Sequence, residues 1–98
     1  MKEAKQYYVY IIGNYNDTTL YIWVTSNLVR RIYEHKNKLL DWFSKDYSLN
    51  KLLHYEIYND INIAIEREKK LKNWHRNWKI DLIKKSNPDY IDLYDGIL

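Results

Sequence analysis

Two charged residues stand where helical spacing calls for apolar ones. Glu68 lies four residues after Ala64 and three before Leu71, on the inward stripe of a helix. A carboxylate on a core-facing stripe is costly unless it is paired or bound to a metal. Arg31 lies three residues after Leu28 and four before His35, so guanidinium and imidazole stack on the inward flank of a second helix. An upstream hairpin adds phenols. With its turn centred between Tyr15 and Asn16, Tyr10 faces Tyr21 and Tyr8 faces Trp23, all on one side of the sheet. Phenols, an arginine, a histidine and a carboxylate converging on one cleft are the parts for phosphodiester hydrolysis. A metal on Glu68 would polarise the phosphate, and Arg31 would stabilise the added negative charge. A phenol would activate water if nearby cations lowered its pKa from about 10. Each feature also has a purely structural reading. An Arg31–Glu68 ion pair would lock the two helices together, His35 alone reads as a hydrogen-bonded core histidine, and a cross-strand aromatic ladder reads as packing.

The elements that must position these residues are legible from pattern. Residues 6–12 (QYYVYII) are aromatic or β-branched at every position after Gln6, as in a strand buried on both faces. Residues 13–17 (GNYND) make a turn, and residues 18–24 (TTLYIWV) return as a second strand. Helix caps at residues 25–27 then precede Leu28, Ile32, His35 and Leu39 at helical spacing, which predicts a helix to about Leu40. Residues 51–58 (KLLHYEIY) read as a third strand. From Asp60, the residues Ile61, Ala64, Ile65, Leu71 and Trp74 form another helical stripe. Trp78, Leu82 and Ile83 extend it, as the same helix or a separate one, until Ser86-Asn87-Pro88 stops it. Tyr90, Ile91, Leu93 and Tyr94 in the tail are expected to pack back on the core. The order β-β-α-β-α-α is that of a small α+β fold.

Ninety-eight residues form one domain, spanning 1–98, because a chain this short cannot bury two cores. Hydrophobic residues make up 46% and charged residues 30%, a globular mix that excludes a disordered chain. The absence of cysteine excludes disulfides, thiolate zinc sites and cysteine nucleophiles. No apolar run approaches the roughly 18 residues of a membrane span, and the N-terminal MKEAKQ is no signal peptide, so a cytoplasmic location is expected. The net charge of +3 is unevenly spread, with eight basic against three acidic residues in 66–85. That block suits either a phosphate backbone or a solvated helix surface.

With these segments in order, the sequence resembles the GIY-YIG nuclease superfamily. It is most similar to short single-domain bacterial proteins that look like the nuclease domain of the excision-repair endonuclease. The first family motif falls on Tyr8-Val9-Tyr10, and the second on Tyr21-Ile22-Trp23 within LYIWVTSNLVRRIYEH. The family arginine falls on Arg31, and the polar or aromatic position beyond it on His35. The segment AIEREKKLKNW resembles the one carrying the metal-binding glutamate, here Glu68 before Leu71. The resemblance implies a three-stranded antiparallel sheet flanked by helices and hydrolysis of DNA with one divalent metal, magnesium or manganese. It also implies that Tyr10 and Tyr21 position or deprotonate water, Arg31 holds the scissile phosphate, His35 assists and Glu68 binds the metal. Trp23 is a departure, since the second motif normally ends in glycine, and a family lysine is missing near Val24 and Thr25. An alternative follows: the same fold as a catalytically inactive nucleic-acid-binding module. A further alternative is a partner-binding domain with Trp23 in an exposed aromatic patch.

Overall fold

The computed structural model describes residues 5–14, 19–37 and 49–98. Strands β1 (Tyr7–Gly13), β2 (Leu20–Thr25) and β3 (Lys51–Tyr58) form an antiparallel sheet in the order β2-β1-β3. Four helices accompany them: α1 (Leu28–Lys36), α2 (Ile61–Asn73), α3 (Arg76–Ser86) and the short α4 (Tyr94–Ile97). The expected α+β architecture of a three-stranded sheet flanked by helices is therefore present. The expected turn at residues 15–17 and the extension of α1 to Leu40 fall outside the described residues.

The central position of β1 explains why its sequence is apolar on alternate and intervening residues alike. Val9 and Ile11 pack with Ile22, Leu53, Ala64, Leu71 and Ile83, beneath α2 and α3. Tyr10 and Ile12 pack on the other side with Leu28, Ile32, Leu49 and Leu52, beneath α1. Of the tail residues expected to pack back, Leu93 and Tyr94 join this second cluster with Ile97 and Tyr90 joins the first, whereas Ile91 is exposed because Asn87 holds its backbone rather than its side chain. A bulge between Ile11 and Ile12 skips Leu53 in the β1–β3 register, and Leu52 and Leu53 serve opposite cores.

The hairpin register differs from the expected one. Tyr10 pairs with Trp23 and Ile12 with Tyr21, a slip of two residues. The last pair is Gly13 with Leu20, and Asn14 Oδ1 accepts from the Thr19 amide at 3.2 Å across the longer connection. A slip of two conserves the face on which every side chain points, whereas a slip of one would have inverted it. Tyr8, Tyr10, Tyr21 and Trp23 therefore still share one face.

The helical stripe after Asp60 divides into two helices. Asp60 caps α2 through its side chain, which accepts from the Asn62 and Ile63 amides. Trp74 leaves helical geometry (φ −69°, ψ 148°) and ends it, and α3 begins at Arg76. Asn87, buried after α3, donates to the carbonyls of Leu53 and Ile91 and accepts from the Ile91 amide. The tail is then fastened by Asp92. Its Oδ1 accepts from the Leu52 and Tyr94 amides, and its other oxygen accepts from Lys36 at the end of α1.

A polar cluster ties α2 to β3. Arg67 grips Glu56 with two bonds, at 2.9 and 3.1 Å, while His54 and the Tyr58 phenol reach the same carboxylate at 2.9 and 2.7 Å. Burial pushes the Glu56 carboxyl up, but hydrogen bonds from His54, Arg67 and Tyr58 and the Arg67 charge outweigh it. The carboxyl is held far below its usual range. Folding therefore favours the ionised form. This contribution is complete above the ordinary pKa near 4.5 and is lost as pH falls through the depressed folded value. Glu56→Gln is expected to destabilise the protein by about 1.5–3 kcal/mol at neutral pH. Thermal melts across pH 2–7 should show Tm lowered on the order of 10 °C at neutral pH, with the gap to the parent closing in acid. A constant gap down to pH 2 would contradict this account.

Candidate active site

The face of the sheet that carries α1 holds most of the residues singled out by chemistry. Tyr10 is 1% exposed, and its phenol lies 2.9 Å from Nε2 of His35. The two rings meet edge to face, with centroids 5.8 Å apart. His35 reaches this position because it lies on the buried stripe of α1 with Leu28 and Ile32. The start of α1 is fixed by Asn27, whose side chain accepts from the Arg30 amide.

Burial drives the Tyr10 phenol well above the ordinary phenol range. The Arg31 charge opposes the rise and Glu34 adds to it. The condition set for a phenol to activate water, a pKa lowered by nearby cations, is not met at Tyr10: desolvation of a buried hydroxyl outweighs one guanidinium. At neutral pH Tyr10 is a neutral phenol that can donate to His35.

Arg31 is 44% exposed along its side chain, and its Nε lies 3.7 Å from Glu34. Glu34 also faces Arg30 at 3.6 Å. The Arg31–Glu68 pair offered as a structural reading is not formed among the described residues. Arg31 takes a partner on its own helix and keeps a solvent-facing side. Glu68 is 13% exposed and instead faces Lys72 at 3.5 Å, one turn along α2.

Lys72 links Glu68 to the edge strand. Its ammonium also stands 5.0 Å over the ring of Trp23. Tyr21 and Trp23 lie nearly parallel, at 19° with centroids 6.3 Å apart. The indole N–H of Trp23 is buried with no hydrogen-bond partner among the described residues. Tyr10, His35 and Arg31 are thus brought together and Tyr21 and Trp23 flank them on β2, whereas Glu68 lies on α2, whose buried residues pack on the opposite face of the sheet, and is linked to this side only by Lys72 over Trp23. Glu34 was not singled out by sequence reasoning, and Lys72 entered it only as one of the basic residues of 66–85 suited to a phosphate backbone, not as the partner of Glu68. Their spacing carried the signal, since Glu34 is three residues after Arg31 and Lys72 four after Glu68.

Residues 6–81 match the GIY-YIG catalytic domain. The chain belongs to the GIY-YIG family. A UPF0213 protein of Syntrophus aciditrophicus (strain SB) is 35% identical over 83 residues, which cover 84% of this chain and 93% of that protein. A UPF0213 protein of Clostridium perfringens (strain 13 / Type A) is 32% identical over 80 residues, covering 82% and 85% respectively. No solved structure matches the chain. Among the described residues, no helix is long and apolar enough to cross a membrane.

The donor set allows one kind of metal and not another. No group of three or more His, Asp or Glu side chains gathers among the described residues, so a closed protein cage for zinc or calcium is not built from them. Magnesium and manganese need less. Such an ion keeps several waters and takes about one or two carboxylates together with substrate phosphate oxygens. Glu68 fits that requirement, because its partner among the described residues is a lysine that is itself 46% exposed and able to turn away.

Proposed function

We propose that this GIY-YIG chain is a metal-dependent DNA endonuclease acting in the cytoplasm as a single domain. The observation that carries the reading is the buried Tyr10–His35 hydrogen bond beside Arg31, on one sheet face within the family-matched segment. Arg31 binds the scissile phosphate with its solvent-facing N–H groups. Tyr21 helps to position the attacking water. Tyr10 takes a proton from that water while passing its own to His35 Nε2, so no free phenolate is needed and the raised phenol pKa is no obstacle. The water oxygen forms the new bond to phosphorus, the leaving oxygen departs with the bonding electron pair, and solvent supplies its proton. Magnesium or manganese on Glu68, when bound, supplies Lewis-acid polarisation of the phosphate. The exposed basic side chains from Lys69 to Lys85 supply sequence-independent attraction to DNA.

Trp23 and Lys72 favour a second reading, an inactive DNA-binding module. An indole stands where the family motif has glycine, and an ammonium sits against the metal carboxylate. The discriminating experiment is cleavage of branched, nicked and duplex DNA with Mg²⁺ or Mn²⁺. Glu68→Gln should abolish cleavage and calorimetric Mn²⁺ binding. Stability should move by only about 1 kcal/mol, since Gln keeps the size and a hydrogen-bonding carbonyl at this 13%-exposed position and the lost pair ends on a 46%-exposed lysine. Unchanged Mn²⁺ affinity in this variant would refute the metal role. A parent chain that binds DNA but cuts none of the substrates would select the binding module.

A further inference from the structure

A cleft of about 250 Å³ runs along the outer side of β2, lined by Leu20, Tyr21, Ile22, Trp23, Lys72 and Lys79. Its composition is divided. Tyr21 and Trp23 supply a nearly parallel aromatic wall, and two lysines face it. The cleft is smaller than the about 300–1,000 Å³ of ordinary small-molecule sites, so it suits one ring system rather than a folded ligand. Among the described residues no strand pairs with the outer edge of β2, which leaves main-chain polar groups there for the edge of a base. The Trp23 indole N–H, buried and without a partner among the described residues, lies on the same wall. Lys72 covers the indole ring at 5.0 Å, the kind of contact that a stacked base would replace while the ammonium moved to a phosphate.

We infer that Tyr21, Trp23, Lys72 and Lys79 form a stacking subsite for one unpaired nucleobase beside the cleavage centre. The inference rests on the nucleic-acid reading above and sharpens it: the substrate is DNA with an unpaired or splayed strand, not a continuous duplex. Duplex bases keep their faces against their neighbours and cannot reach the indole, whereas single strands offer a π-face at every base. Trp23, the departure from the family motif, then sets the substrate class.

The test measures anisotropy of labelled oligonucleotides in EDTA, so that binding is read without cleavage. The probes are a single-stranded oligothymidylate, a duplex of equal length and an oligonucleotide of the same length with an abasic backbone. Trp23→Ala should weaken single-strand binding by about 5- to 150-fold, the range expected for loss of one base–aromatic stack. Duplex and abasic affinities should change by less than about twofold, because neither presents a free base face. Trp23→Phe keeps an aromatic face and should retain most of the single-strand affinity, while Trp23→Leu, which fills the space without an aromatic face, stands in if the alanine variant does not fold and should show the same selective loss. Trp78→Ala, which removes another exposed indole, should leave all three affinities near those of the parent. Equal losses on all probes, or none, would overturn the stacking subsite while leaving the nuclease reading intact. A parent chain that binds neither single-stranded nor duplex DNA at low salt would overturn both.

Discussion

Tyr10→Phe is expected to lower the cleavage rate by about 10²–10⁴-fold, the usual worth of a positioned proton-transfer group. The phenol touches His35 within the buried face, and the substitution removes that oxygen while keeping the ring in its packing. The protein should still fold. Losing this buried hydrogen bond costs about 1–3 kcal/mol, which lowers Tm by roughly 4–8 °C per kcal/mol in a domain of this size. A merely structural role for Tyr10 would move stability without moving kcat at temperatures well below Tm. His35→Gln provides the complementary measurement. If Tyr10 and His35 act as one relay, the double variant should be no slower than the worse single variant, because residues acting as a unit are strongly non-additive. Full activity in Tyr10→Phe would remove the relay from the mechanism.

Arg31→Ala should lower kcat by about 10²–10³-fold, as removal of a single preorganised donor to developing negative charge typically does. Its signature is the opposite of that of Tyr10, because stability should barely change. The side chain is 44% exposed and its ion pair with Glu34 is a surface contact within one helix, worth about 0–1 kcal/mol. Arg31→Lys should recover part of the binding but little of kcat, since an ammonium keeps the charge and loses the planar fork that grips two phosphate oxygens. Stopped-time nicking assays at saturating metal, with DNA affinity measured in EDTA, separate these contributions. A loss confined to KM would make Arg31 a general anchor for the DNA backbone and not a group that acts on the transition state.

Several elements were readable because their signals are local. Residues 51–58 are a strand end to end, bounded by Asn and Asp residues with a strong β preference between them. The doubly apolar β1 announced a central strand, and Ser86-Asn87-Pro88 marked the end of α3. The hairpin register was less accessible. A turn centred on Tyr15 and Asn16 satisfies the same alternation as the observed pairing, and hydrophobic pattern cannot distinguish registers that differ by two. The break at Trp74 was equally ambiguous, since apolar spacing continues across it into α3.

The types and spacing of Tyr10, Tyr21, Arg31, His35 and Glu68 were determined by the sequence alone, together with the alternation and periodicity that assign them to two strands and two helices. Those quantities are local, because a residue's face follows from the period of its own element. Tertiary structure decided which of these groups meet. It placed Tyr10 against His35 across 25 residues, set Lys72 of α2 over Trp23 of β2, and left Arg31 and Glu68 apart, each with a partner on its own helix. It also set the direction of the Tyr10 pKa, which the sequence left conditional on nearby cations. The sign of that shift depends on how much water the completed fold removes from the hydroxyl, and burial of that kind is a property of the packed layers rather than of the residue or its neighbours in the chain.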